Sequence, residues 1–345
     1  EVGNMIGLRK GTKNVPPVAI GSHLDTVYQG GRFDGALGVL AGLELIKTLN
    51  DFNILTEKPI ALINFTNEEG VNYAPDMMGS HAFAKLGDLD AILKSQAYDN
   101  PNQTVDSELR RIGYKGKMKC GDFPLDCFIE LHIEQGPVLE TERINIGAVE
   151  MVQGIYWTRY TIQGQANHAG TTPIEMRKDA GYAAAQAMQF IGDLSRKENS
   201  QLLTTVGTIE FKPHAINIVP DSASFTLDAR SIDLKVLQNG QRKIDTFLND
   251  LVVAYGLTLE REEMVRFSPV QFDQGIVSLI DSEAKGLNLL VKKMPSGAGH
   301  DAQMMASVCP SAMVFVPSVN GISHNVAELT LDVDVENGAN VLLNT

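Results

Sequence analysis

Cysteine is scarce in this chain: Cys120, Cys127 and Cys309 are the only three among 345 residues. An odd number at no framework spacing argues against a disulfide-stapled secreted fold and for a reducing, cytoplasmic setting. Cys120 and Cys127 also lack a matching Cys/His pair downstream, which disfavours a zinc ribbon. Long apolar runs are missing as well. None reaches the ~18 residues needed to span a bilayer, and the residues after Glu1 hold no apolar core of a secretory signal. Basic residues fall short of acidic ones, 29 against 42, for a net charge of −13. That balance disfavours nucleic acid and anionic membrane surfaces as partners, yet leaves room for a local basic pocket around a small carboxylate. The chain starts without Met and enters an extended pattern at once, so a preceding segment is expected, as is a further helix beyond Thr345.

What is present reads as globular α/β. The hydrophobic share is 43% and the charged share 21%, near the average for folded domains, and the length suits two structural units. From residue 15 to about 148, short buried runs at 18–20, 60–65 and 128–131 alternate with helical patterns such as 38–49. Alternation of this kind predicts a largely parallel sheet, whose working residues gather at the carboxyl ends of its strands. Residues 86–124 read as a surface excursion with one or two short helices. Between 149 and 266 the order becomes strand, helix, strand, strand, helix, strand, as in a split βαβ sandwich. Leu237, Ile244, Phe247, Leu248 and Leu251 share one helical stripe there. After residue 268 the α/β pattern resumes, with a helix near 274–286, a strand at 289–292, a helix after His300 and a strand at 312–316.

Three of the seven histidines stand where a buried run ends beside acidic residues: His23 in Ser-His-Leu-Asp, His132 in Glu-Leu-His-Ile-Glu and His324 in Ile-Ser-His-Asn. One histidine so placed is more often structural, but three together with carboxylates point to metal. Asp34 and the adjacent Glu68 and Glu69 supply those carboxylates. A Glu-Glu pair directly after a buried run repels unless a cation or a shared proton compensates. Three imidazoles and two carboxylates suit a pair of divalent ions such as Zn²⁺, about 3.5–4 Å apart with one carboxylate bridging. Glu68 or Glu69 is then the base that accepts a proton from water and passes it to a leaving nitrogen. No Gly-x-Ser-x-Gly elbow appears near these motifs, so water is the expected nucleophile. Ser296-Gly-Ala-Gly-His-Asp lacks the spacing of a phosphate loop; it is expected to contact substrate through its backbone, with His300 and Asp301 orienting the site. His81 and His214 read as structural or solvent-facing.

The segments Gly21-Ser-His-Leu-Asp-Thr-Val, Gly30-Gly-Arg-Phe-Asp-Gly, Asn67-Glu-Glu-Gly, Glu130-Leu-His-Ile-Glu-Gln-Gly, Asn167-His-Ala-Gly-Thr-Thr-Pro, Ser296-Gly-Ala-Gly-His-Asp and Gly321-Ile-Ser-His-Asn resemble the N-carbamoyl-amino-acid hydrolases. That family includes β-ureidopropionase and allantoate amidohydrolase, within the aminoacylase-like dinuclear zinc peptidase clan. The resemblance spans nearly the whole chain. It implies a zinc-peptidase-like α/β catalytic domain with a central mixed, mostly parallel sheet, formed by 1–148 and 267–345. An inserted α+β sandwich at 149–266 would serve as lid and dimerisation domain.

By the same resemblance, two divalent ions, Zn²⁺ first and Mn²⁺, Co²⁺ or Ni²⁺ otherwise, are held by His23, Asp34, Glu69, His132 and His324. Asp34 bridges them, with His23 and His132 on opposite sides, and Glu68 is the base. Gln135, Asn217, Arg230, Gly299 and Gly321 are the expected substrate contacts. The Arg230 guanidinium suits a bidentate carboxylate contact. His168 is expected to steady the oxyanion and to reach the neighbouring subunit's site, which implies a homodimer joined through the lid domain. The expected reaction converts R–NH–CO–NH₂, R bearing a carboxylate, to R–NH₂, CO₂ and ammonia. Allantoate amidohydrolase is the nearest alternative, since it shares the ligands and the clamp. A dinuclear aminopeptidase or aminoacylase would use the same metals on other amides. An inactive dimeric binding protein would have lost a ligand or the base, and the motifs retain both.

Overall fold

From the amino end the elements are β1 (Met5–Arg9), β2 (Val18–His23), α1 (Ala36–Asp51), β3 (Ile60–Phe65), α2 (Met78–Phe83), α3 (Leu89–Lys94), α4 (Val105–Arg111), β4 (Cys127–Ile133), α5 (Val138–Glu142) and β5 (Ile146–Val152). The computed structural model describes residues 1–197 and 200–345. Next come β6 (Gly154–Gln163), β7 (Asn167–His168), α6 (Ala180–Arg196), β8 (Leu203–Lys212), β9 (Ile218–Val219), β10 (Ser222–Ser231), α7 (Leu234–Tyr255) and β11 (Thr258–Phe267). The remainder is β12 (Val270–Gln271), α8 (Gln274–Gly286), β13 (Val291–Ser296), α9 (Asp301–Met305), β14 (Ser311–Val316) and α10 (Asp332–Asn344).

The chain divides into two units, Glu1–Val152 with Val270–Thr345, and Gln153–Pro269. These boundaries fall a few residues later than the apolar pattern placed them. β5 goes on pairing through Val152 with β12 and β13, and β11 continues to Phe267 before Val270 rejoins the large sheet.

In the first unit the strand order is β1-β3-β2-β4-β14-β5-β12, with β13 also on β5. β3, β2, β4 and β14 run parallel, while β1, β12 and the β14–β5 pair are antiparallel. The sheet is therefore mixed. β4 and β14 are buried along nearly their whole length, as parallel strands covered on both faces must be. Phe65, Phe128, Phe315, Ile63 and Leu131 lie at its centre, joined by Leu45 and Leu49 of α1, Ile280 of α8 and Val341 of α10. Phe65 meets the edges of Phe83 and Phe128 with ring centroids 6.1 and 5.8 Å apart. The 86–124 excursion is more than surface: Ile92, Val105 and Leu109 close a small core with Val2, Met78 and Ala82.

The strand expected at 289–292 begins later, at Val291, and runs to Ser296. The Leu289 amide donates back to Ala284, and Asn288 takes a left-handed φ of 59°, so the turn off α8 consumes the first apolar residues of that run.

In the second unit the antiparallel sheet β11-β6-β10-β8 carries α6 and α7 on one face. Ala223, Phe225, Leu227 and Ala229 alternate inward along β10, meeting Leu237, Ile244 and Leu248 of α7. Phe190 and Phe247 stack at 4.0 Å between the two helices. The Asp179 and Asp233 carboxylates cap α6 and α7 by accepting from the amides of Tyr182 and Lys235, each cap stabilising its helix by about 1 kcal/mol. β7 and β9 form a separate ribbon that pairs His168 with Ile218. Among the described residues no helix is long and apolar enough to cross a membrane.

Candidate metal centre

The four neighbouring parallel strands finish at one edge of the large sheet, so the loops beyond them converge. His23 is the last residue of β2 and His132 the last but one of β4. Glu68 and Glu69 follow β3, Asp34 precedes α1, and His324 lies between β14 and α10. Asn67, Gln135 and His324 adopt φ of 54°, 57° and 53°, a conformation costing of order 1–3 kcal/mol each outside glycine. Such strain is tolerated where surrounding contacts aim a side chain. Gly35, at φ 64°, has no such cost, and a Cβ there would stand 2.3 Å from His23 Cε1.

Asp34 is the hub. Its Oδ1 lies 3.1 Å from His132 Nε2 and 3.7 Å from His23 Nε2, while Oδ2 lies 3.3 Å from His324 Nε2. Glu69 Oε2 is 3.4 Å from His324 Nε2, and Glu68 Oε2 is 3.5 Å from His23 Nε2. The donor atoms of His23, Asp34 and His132 fall within 4.8 Å of one another, as do those of Asp34, Glu69 and His324. All five expected ligands thus meet around a shared carboxylate. The expected sides need correction, because His23 and His132 face the same Asp34 oxygen rather than opposite ones. β2 and β4 are adjacent strands, whereas Glu69 and His324 approach the other oxygen from loops.

Both inner imidazoles are oriented by backbone. His23 Nδ1 is 2.9 Å from the Asp25 carbonyl and His132 Nδ1 2.9 Å from the Ile133 carbonyl. A carbonyl only accepts, so each Nδ1 carries a proton and Nε2 is the nitrogen turned towards Asp34, the orientation a metal ligand needs. Burial lifts Glu68 well above the ordinary carboxylate range, with repulsion from Asp301 and Glu69 adding to it. Burial likewise lifts Glu69 to about 7. Burial also opposes charge on Asp34, but hydrogen bonds to His132 and His324 outweigh it and hold that carboxyl far below the usual range. Glu69 Oε1 is buried with no hydrogen bond. Glu130 and Asp301 add two fully buried carboxyls nearby. This excess of buried acid with orphaned oxygen calls for cations, and the N₃O₂ donor set fits two divalent ions.

Other expected residues fall as follows. Gln135 Nε2 donates to Asp34 Oδ2 at 2.7 Å, so it adjoins the metal donors. Gly321, at φ 64°, packs against the Gly136–Pro137 backbone, where a Cβ would come within 2.8 Å of the Pro137 nitrogen. Gly299 leads into His300, whose Nε2 is 2.9 Å from Ser296 Oγ and whose ring stands 4.5 Å edge-on to His132. In the second unit, the β7–β9 ribbon brings His168 and Asn217 together, the Asn217 carbonyl accepting from the Ala169 amide at 3.0 Å. Arg230 donates through Nε and Nη2 to Asp228, two residues earlier on β10.

Three residues that sequence reasoning passed over hold the ligand loops. Asp25 accepts from the amides of Glu68 and Glu69 at 3.2 and 3.1 Å; its place two residues after His23 was the available signal. Glu130 accepts from Ser22 Oγ and the Ala302 amide. Glu328 accepts from the amides of Phe33 and Asp34 at 3.1 Å each and from Ser323 Oγ at 2.9 Å, and nothing in its own sequence surroundings marks it.

Residues 19–345 match the sequence model of peptidase family M20/M25/M40. The chain is 38% identical over 329 residues to an N-carbamoyl-L-amino-acid amidohydrolase of Rhizobium meliloti, covering 95% of this chain and 79% of that one. It is 32% identical over 349 residues to an allantoate amidohydrolase of Escherichia coli strain K12, covering 99% and 84%. The crystal structure of a hydantoinase/carbamoylase family amidase from Burkholderia multivorans superposes with a TM-score of 0.90 at 40% identity, covering 99% and 83%.

Proposed function

The chain belongs to peptidase family M20/M25/M40 and within it to the carbamoylase-type amidohydrolases, and from that membership we infer that it hydrolyses N-carbamoyl amino acids to the free amino acid, CO₂ and ammonia. The observation that carries this reading is the pair of donor groups, His23–Asp34–His132 and Asp34–Glu69–His324, sharing Asp34, in a chain whose relatives include N-carbamoyl-L-amino-acid amidohydrolases. Those five residues would hold two divalent ions, which we assign as Zn²⁺; Mn²⁺, Co²⁺ and Ni²⁺ suit the same donors. Bound there, such ions supply Lewis-acid polarisation of the carbamoyl carbonyl and bring water towards ionisation at neutral pH.

The residues divide the remaining work. Glu68, buried beside His23, takes the proton from the attacking water and returns it to the leaving nitrogen. Gln135 keeps Asp34 oriented through its amide. Arg230 and Asn217 take the substrate carboxylate, and Gly299 and Gly321 admit it close to backbone. His168 donates to the carbamoyl oxygen as charge gathers there. A homodimer joined through the second unit, with His168 serving the partner's site, completes the proposal. A reducing, cytoplasmic location suits the unpaired thiols of Cys120, Cys127 and Cys309.

The deciding experiment is ammonia release by the full-length, metal-loaded protein from N-carbamoyl-L-α-amino acids, N-carbamoyl-β-alanine and allantoate, with amino-acid release from tripeptides read in parallel as the peptidase control. Release from carbamoyl amino acids, lost in Glu68→Gln while bound metal persists, is the expected result. Ammonia release from allantoate alone, or cleavage of tripeptides alone, would overturn the substrate assignment.

A further inference from the structure

The segment 167–177 of the second unit holds an arrangement that reaches beyond His168 itself. His168 ends β7 and is exposed. Its Nδ1 accepts two backbone hydrogen bonds, from the Gly170 amide at 3.0 Å and the Thr171 amide at 3.2 Å. Two N–H groups aimed at one ring nitrogen leave no room for a proton there, so the neutral imidazole carries its proton on Nε2. Among the described residues nothing bonds Nε2.

The loop that presents these amides is itself clamped. The Thr172 amide and hydroxyl both donate to the His168 carbonyl, at 3.2 and 2.7 Å. Arg177, partly buried, donates from Nε to the Thr172 carbonyl at 3.0 Å and from Nη2 to the Ala169 carbonyl at 2.6 Å. One planar guanidinium therefore bridges the residue after His168 and the residue after Thr171, which is what keeps the 170 and 171 amides turned inward to the ring. Lysine offers a point charge and no fixed fork, so it does not reproduce this bridge.

We propose that Arg177 is a positioning residue that locks His168 as an Nε2–H donor, making His168 a fixed hydrogen-bond donor to substrate and not a proton acceptor. The reactive part of this rests on the assignment of His168 to the carbamoyl oxygen; the tautomer part stands on the loop alone.

Two measurements on the full-length protein separate these. Long-range ¹⁵N–¹H NMR on histidine-labelled protein, with His168 identified by its loss in His168→Gln, reads the tautomer without substrate. The wild type is expected to show only the Nε2–H form, and Arg177→Ala a mixture, with thermal melts confirming that both are folded. Steady-state kinetics then reads the consequence. Arg177→Ala is expected to lower kcat by about 10–100-fold with KM little changed, the scale of an ångström-sized misplacement, and Arg177→Lys to recover only part of it. In the His168→Gln background, Arg177→Ala is expected to cost less than about twofold more, because the two residues act as one unit. An unchanged tautomer in Arg177→Ala, or losses that simply add in the double variant, would overturn the positioning role. Full activity of His168→Gln would overturn the catalytic assignment on which the kinetic arm rests, while the NMR result would still decide the lock.

Discussion

Glu328 links two loops that each carry a proposed ligand: one carboxylate oxygen receives the Phe33 and Asp34 amides and the other the Ser323 hydroxyl beside His324. Glu328→Ala is therefore expected to weaken metal binding by about 10–100-fold, the usual effect of removing an outer partner of a metal ligand, with the fold retained. Calorimetric metal titration of the apoprotein measures it, and unchanged affinity would reduce Glu328 to packing. The thiols permit a second residue-level test. Burial pushes Cys127 and Cys309 up to about 11, so only about one thiol in a thousand is ionised at pH 8. Alkylation of these two in the folded protein should be slow at that pH and accelerate about tenfold per pH unit; rapid labelling at pH 8 would contradict their burial. His23, His132 and the Glu68–Glu69 pair were legible as candidate ligands because each stands where an apolar run ends, beside acidic residues. Glu328 was not, because the Phe33 and Asp34 amides it receives lie 295 and 294 residues away and no local pattern records such a contact.

At the level of elements, β6 is tied to α7 through Tyr160. Its hydroxyl donates to Asp245 at 2.5 Å and accepts from Gln241 at 2.5 Å, and burial followed by the Asp245 carboxylate raises the phenol well above its ordinary value. The folded pKa exceeds the unfolded one, so the stabilisation is fully present below about pH 10 and is lost as pH rises beyond it. Tyr160→Phe should cost about 1 kcal/mol at neutral pH and make the fall in melting temperature above pH 10 shallower. Melts at pH 7 and near pH 10.5 check both; an equally steep alkaline fall in the variant would place the titration elsewhere. The α7 stripe was readable from its period, since Leu237, Ile244 and Leu248 are all fully buried. The start of β13 was not, because a left-handed Asn288 decides where the turn ends, and apolar character alone does not distinguish the last turn of a helix from the first residue of a strand.

For the molecule as a whole, the proposed dimer in which His168 serves the partner's site makes a quantitative prediction. His168→Gln and Glu68→Gln are each expected to be nearly inactive, yet mixing them under conditions that exchange subunits should restore about a quarter of wild-type activity. Half of the resulting dimers are mixed, and each of those holds one intact site. No recovery, with exchange verified by mass spectrometry, would confine each site to a single chain. The chain's own pattern determined the α/β class and the inserted antiparallel sandwich, and its strand ends marked His23, His132 and the Glu68–Glu69 pair as candidate donors, because periodicity and strand ends are local properties. Tertiary structure alone decided that His23 and His132 share one oxygen of Asp34, that Asp25, Glu130 and Glu328 brace the loops, and that Arg177 clamps the turn behind His168. Those facts depend on which strands lie side by side and which carbonyls a folded loop turns inward, and these arise only when distant segments meet.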